Sequence, residues 1–131
     1  MAAGFVLDDA EFRDIMKRLG TDAPKELGRA LRTEAELAMT DSKDNYVPVD
    51  TGALRASGYV QEPVITSATV SVTMGYGGSA APYALVVHEN LFAYHPHGQA
   101  KYLETPVNQR ARYIGDRLTE ALQKVVRKIG R

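Results

Sequence analysis

Cysteine is absent from the 131 residues. That removes disulfides, thiolate nucleophiles and cysteine-bound zinc or iron–sulfur centres from consideration. Long apolar runs are absent as well, and none approaches the ~20 residues that a bilayer-spanning helix requires. The opening stretch MAAGFVLDDAEF lacks a basic n-region, so it does not read as a secretory signal. Charge of one sign is not in excess. Sixteen acids balance sixteen bases, which argues against a non-specific nucleic-acid binder, normally basic. Internal repeats, linkers and low-complexity tracts are missing too. What is present is the make-up of an ordinary globular protein: 44% apolar and 24% charged residues exclude wholesale disorder. The length suits one soluble domain over 1–131 with one real core.

The balanced total conceals a gradient. Residues 33–62 hold six acids and two bases, a net of −4, whereas residues 107–131 hold seven bases and two acids, a net of +5. Two readings fit: a final helix with a solvated basic face, or opposed patches that orient neighbouring copies.

Helical periodicity marks three segments. Over 1–20 a short helix is expected, capped by Asp8 or Asp9, with Phe12, Ile15, Met16 and Leu19 at helical spacing and Gly20 ending it. A long helix over 21–46 follows, with Thr21 or Asp22 as cap and Pro24 in its first turn. Its apolar stripe is Leu27, Ala30, Leu31, Ala35, Leu37 and Ala38. The clearest helix spans 105–130, where Thr105 caps and Pro106 takes the first helical position. Val107, Ala111, Ile114, Leu118, Ala121, Leu122, Val125 and Ile129 form its stripe. Burying the five large aliphatics up to Val125 contributes about 7–15 kcal/mol gross. Conformational entropy offsets most of this, so the stripe needs a partner surface.

Between the helices, residues 56–90 read as a sheet region. Apolar and small polar residues alternate from Thr69 to Tyr76, the mark of a half-buried strand. Residues 59–66 are its expected hairpin partner, joined around Ser67-Ala68, with Pro63 confined to an edge or bulge. Gly75, Gly77, Gly78 and Ser79 form a loop. Tyr83 to His88 fits either a third strand or a short helix starting at Pro82. Residues 90–100 read as an exposed loop carrying Phe92 and Tyr94, aromatics a lone domain seldom leaves in water. The expected fold class is α+β: two or three helices, including a long C-terminal one, packed on a small antiparallel sheet.

Chemistry-bearing patterns are weak. His88, His95 and His97 fall within ten residues beside Glu89, but HENLFAYHPH lacks the HExxH spacing that sets two histidines one helical turn apart. GxSxG is absent, and no histidine lies near Ser57, Ser67 or Ser71 in sequence. GYGGSAAP lacks the Lys-Ser/Thr end of a phosphate loop, and the strands lack the basic–aromatic interleaving suited to single-stranded nucleic acid. No catalytic residue, cofactor or metal ligand is assigned.

One local motif is informative. VPVDTGALRAS (47–57) joins the long helix to the first strand of the sheet region. Pro48 keeps the preceding residue extended, and Asp50 is placed to accept the amide proton of Ala53 and start one helical turn. A capped connector explains it physically. The run also resembles the neck-protein family of tailed bacteriophages, known as minor capsid, tail-completion or gene-product-ten-like proteins. Their Pro-x-Asp-Thr-Gly-x-Leu-Arg-x-Ser element is matched by Pro48, Asp50, Thr51, Gly52, Leu54, Arg55 and Ser57. Their Tyr-Ala-x-x-Val-Glu-like element is matched by Tyr83, Ala84 and Val87, although His88-Glu89 stands where many members have Glu-Phe-Gly. GQAKYLETP (98–106) resembles their aromatic-then-proline approach to the last helix, and the likeness covers roughly residues 20–130.

The resemblance implies a structural, non-enzymatic virion protein assembled in the host cytoplasm. It would form or join a ring between the portal or head-completion complex and the tail. Its partners would be further copies of itself and other neck, head-completion or tail-terminator proteins. DNA would pass through the lumen without specific binding, and neither a membrane nor a cofactor is implied. A closed ring gives each copy two different patches, and Phe92, Tyr94, His95 and His97 are the expected subunit or tier contacts. Two alternatives belong to other classes: a non-viral dimeric interaction module, and a small histidine-dependent metallohydrolase.

Overall fold

The computed structural model describes residues 1–7, 10–20, 22–49, 51–66, 69–79, 81–91 and 98–129. Along the chain run β1 (Ala2–Leu7), α1 (Ala10–Leu19) and α2 (Asp22–Asp41), which continues into a π-helical turn at Ser42–Tyr46. Then come α3 (Ala53–Ala56), β2 (Tyr59–Val60), β3 (Val64–Ile65), β4 (Val70–Gly75), α4 (Ala84–Glu89) and α5 (Glu104–Ile129). The architecture is α+β, with a long C-terminal helix and a small antiparallel sheet.

The sheet is built around β4. On one side β1 pairs with it from Ala2↔Gly75 to Leu7↔Val70. On the other side β2 and β3 share its length, with Val60 opposite Met74 and Val64 opposite Ser71. Pro63 falls in the gap between β2 and β3, where its missing N–H costs no ladder bond. Opposed residues of an antiparallel pair share a face, and the buried Val70, Val72 and Met74 define the inner one. Ala3, Phe5 and Leu7 of β1 join them against the core. The outer face carries Ala2, Gly4, Val6, Tyr59, Val64, Ser71, Thr73 and Gly75, none of them charged.

Among the described residues, helices cover only the inner face. Leu27, Leu31, Ala35, Ala38 and Met39 of α2 lie on it, and the small alanines allow the close approach of α5. Val107, Ile114, Leu118 and Ala121 of α5 close the same core, and Val125 is buried one turn further on.

Several expectations need correction. The N-terminal segment, expected as a helix alone, opens with β1, whose inward Ala3, Phe5 and Leu7 follow period two. The sheet region contains α4, so Tyr83–His88 resolves in favour of a helix. Leu37 is 45% exposed, and Glu34 takes the inward position on that turn instead. Ala111 is exposed. α5 begins at Glu104, so Thr105 lies inside its first turn and donates its amide to the Lys101 carbonyl (3.0 Å). The proposed caps Asp8, Asp9 and Thr21 lie outside the described residues.

The charge gradient meets itself inside one chain. Glu34, in the acidic segment, forms an ion pair with Arg110 of α5, and Arg117 stands 3.8 Å away. Arg112, Lys124 and Arg127 point outward and make no ion pair among the described residues.

Candidate interaction surface

Two buried tyrosines organise the end of the molecule where the motifs converge. Tyr76, just past β4, shares a 2.7 Å hydrogen bond with the Ser42 hydroxyl of the π-helical turn. Ser42 also donates to the Tyr102 carbonyl, and the two rings meet edge to face at 5.0 Å. The Tyr102 hydroxyl donates to the Ala84 carbonyl at 2.6 Å. Burial pushes the Tyr76 hydroxyl up to about 12 and raises Tyr102 further in the same direction, because a phenolate would lack water there. Both hydroxyls are therefore neutral donors at physiological pH. This chain of bonds joins α2, β4, α4 and the approach to α5.

The first motif braces that joint. Leu54 is buried in the core. Arg55 donates from Nε to the Lys43 carbonyl and from Nη2 to Asp44 Oδ1, both 3.1 Å, tying α3 to the π-helical turn. Ser57 Oγ donates to the Leu54 carbonyl (2.6 Å) and accepts the Gly77 amide (3.1 Å), linking α3 to the end of β4. Gly52 has φ of 87°, a left-handed value that a side chain would oppose. The amide of Ala53 is accepted by Thr51 Oγ1 at 3.3 Å. Asp50, expected to accept this amide, lies outside the described residues. Pro48 is half-buried in the strand-like approach to this turn, where Gly98 packs so closely on the 46–48 backbone that a Cβ would collide with it.

The second motif positions α4. Ala84 is buried, Val87 packs against the core, and the Tyr83 carbonyl accepts the Val87 amide at 3.1 Å. Next to them the inward His88 is held at both ring nitrogens. Nε2 accepts the Glu104 amide at 3.2 Å, so Nδ1 carries the hydrogen and donates to Glu89 Oε1 at 2.9 Å. Its ring stands edge-on to Tyr102, 5.0 Å between centroids. Glu89 in turn is paired with Lys101, which lowers the carboxyl and raises the ammonium from their ordinary values. His88 is thus committed to the fold. Among the described residues no group of three His, Asp or Glu side chains is placed to hold a metal.

With its inward residues clamped, α4 turns an apolar surface outward. Tyr83, Leu85, Val86 and Leu91 are 42%, 56%, 69% and 67% exposed. Exposed apolar side chains scattered singly are ordinary; four gathered on one helix and its flanks are not. The expected contact residues Phe92, Tyr94, His95 and His97 follow directly in sequence but lie outside the described residues. The sequence leaves 83–88 open between strand and helix and so does not single out Leu85 and Val86; the helix turns these two middle residues outward. No family model matches the chain, and no curated protein or solved structure matches it either.

Proposed function

We propose that this protein is a subunit of the head–tail connector of a tailed bacteriophage, a structural protein whose work is contact between copies and with neighbouring neck components. The observation that carries this reading is α4: a helix locked on its inner side by Ala84, Val87, His88 and Tyr102, with Leu85, Val86 and Leu91 left in water. A clamp of that kind preorganises a binding surface, which lowers the ordering cost of association. The order and spacing of the two neck-family motifs support the same reading, since their described side chains serve the scaffold beneath this surface. The near-zero net charge suits a passage through which DNA must slide, as a strongly basic lumen would retain phosphates.

Leu85→Ser combined with Val86→Ser tests the proposal. Both positions are exposed, so the isolated domain should keep its thermal transition. In a phage carrying the double variant, unjoined heads and tails should accumulate and infectious titre should fall. Normal particle yield with a folded variant would remove α4 as the contact.

A further inference from the structure

The sheet has two edges, and they are protected differently. The β2–β3 edge is cut into two-residue pieces with Pro63 between them, a device that resists pairing with other chains. The β1 edge has no such device. Its sequence, Ala2-Ala3-Gly4-Phe5-Val6-Leu7, contains no proline and no charge. Nothing among the described residues pairs with its outer side.

Hydrogen-bond parity shows what that edge offers. The Tyr76 amide donates to the Met1 carbonyl at 3.1 Å, and the Met1 nitrogen donates to the Tyr76 carbonyl at 3.2 Å. In an antiparallel ladder such bonded pairs recur at every second residue. Ala3, Phe5 and Leu7 therefore bond to β4, and Ala2, Gly4 and Val6 direct their N–H and C=O groups away from it. The far side of β4 agrees: Thr73, opposite Gly4, accepts the Gln61 amide at 2.8 Å.

We propose that β1 is a homotypic pairing edge, which joins two copies of this chain about a two-fold axis through Gly4. The second copy is the occupant because β1 is complementary to itself. An antiparallel β1–β1 pair centred on Gly4 sets Ala2 opposite Val6 of the second copy, Gly4 opposite Gly4, and Val6 opposite Ala2. All three outward residues on each strand are then satisfied, giving six hydrogen bonds. The faces match too, since Ala3 meets Phe5 on the inner side and both sheets turn their helices the same way. A pair centred on Phe5 matches faces but leaves Ala2 without a partner in β1 and gives four hydrogen bonds in place of six, so it is the poorer register. This inference stands apart from the connector reading. Neighbours in a ring with a polar axis are not related by a two-fold, so in that setting the pair precedes assembly and separates on it.

Sedimentation equilibrium across a wide concentration range is the test, and the connector reading does not constrain its result. A monomer–dimer equilibrium is expected. Ala2→Lys with Val6→Lys sets like charges opposite each other twice across the axis and should weaken the dimer roughly tenfold. Ala2→Glu with Val6→Lys sets opposite charges at the same places and should restore it. Both side chains are exposed, so each variant should keep the wild-type thermal transition. Hydrogen exchange reads the register: the amides at positions 4 and 6 should be protected in the dimer and exchange freely in the double-lysine variant at concentrations where it is monomeric, with those of Phe5 and Leu7 protected in both. A monomeric mass at every concentration, a dimer indifferent to the lysine pair, or unprotected Gly4 and Val6 amides in the dimer would each overturn the proposal.

Discussion

Glu34 occupies an inward position on α2, its carboxylate taken out of water and met by Arg110 from α5. A buried ion pair returns little net stability, because desolvating both charges cancels most of their attraction; losing one partner is the costly event. Arg117 also pairs with Glu34, at 3.8 Å, but it is more than half exposed and compensates only part of the charge that Arg110 meets. Arg110 is itself imperfectly satisfied, with its buried Nε lacking a partner among the described residues. Arg110→Leu should therefore destabilise the domain by about 3–5 kcal/mol, read as a lower urea midpoint. Combining it with Glu34→Leu should recover most of that loss, since the uncompensated charge goes and two apolar side chains fill the seam. A single variant with the wild-type midpoint would mean that the Glu34 carboxylate reaches water.

At the scale of elements, α5 is both the easiest to read and the hardest to disturb. Its buried residues Val107, Ile114, Leu118, Ala121 and Val125 keep one helical line, and Leu118 lies in the middle. Leu118→Asp puts an unpaired carboxylate into that seam, costing several kcal/mol against a total stability of about 5–15 kcal/mol. We expect no cooperative thermal transition from this variant in calorimetry; one within a few degrees of wild type would show that the stripe is not core. Such long elements are legible because many residues repeat the same period, as the buried residues of α5 do from Val107 to Val125 and Val70, Val72 and Met74 do for β4. Short or mixed signals fail. β1 places only Ala3, Phe5 and Leu7 inward, and one of those three is an alanine, so its alternation is faint in the chain. Glu34 hides in the stripe of α2 because its partner Arg110 is 76 residues away, and Leu37 fills the expected place on paper. The candidate surface was legible only in part. The scaffold motifs were visible as motifs, but the exposure of Leu85 and Val86 depends on Tyr102 and Glu104 holding the opposite side of α4, a tertiary fact with no local sign.

Across the whole molecule, one hydrogen-bonded line crosses every layer: Ser42 after α2, Tyr76 after β4, Tyr102 before α5 and Ala84 at the start of α4. Its two phenols must stay neutral to remain buried, which makes the joint sensitive to alkali. An ordinary tyrosine ionises near pH 10, and Tyr76 in the folded protein does so only at about 12. Between those values the unfolded chain has released the proton and the folded chain still holds it. Unfolding then releases protons, so stability falls as pH rises. The contribution is fully present below pH 10 and is lost through 12, amounting to about 2–3 kcal/mol for Tyr76 at ~1.4 kcal/mol per pH unit. Tyr102, raised in the same direction, steepens the fall. Urea midpoints should therefore drop between pH 10 and 12, alongside a rising phenolate absorbance. Tyr76→Phe provides the control. It gives up the bond to Ser42, about 1 kcal/mol at neutral pH, yet it removes one titrating group, so its alkaline decline should be shallower than that of wild type. Equal slopes for the two proteins would mean that Tyr76 ionises in the folded state without disturbing the joint.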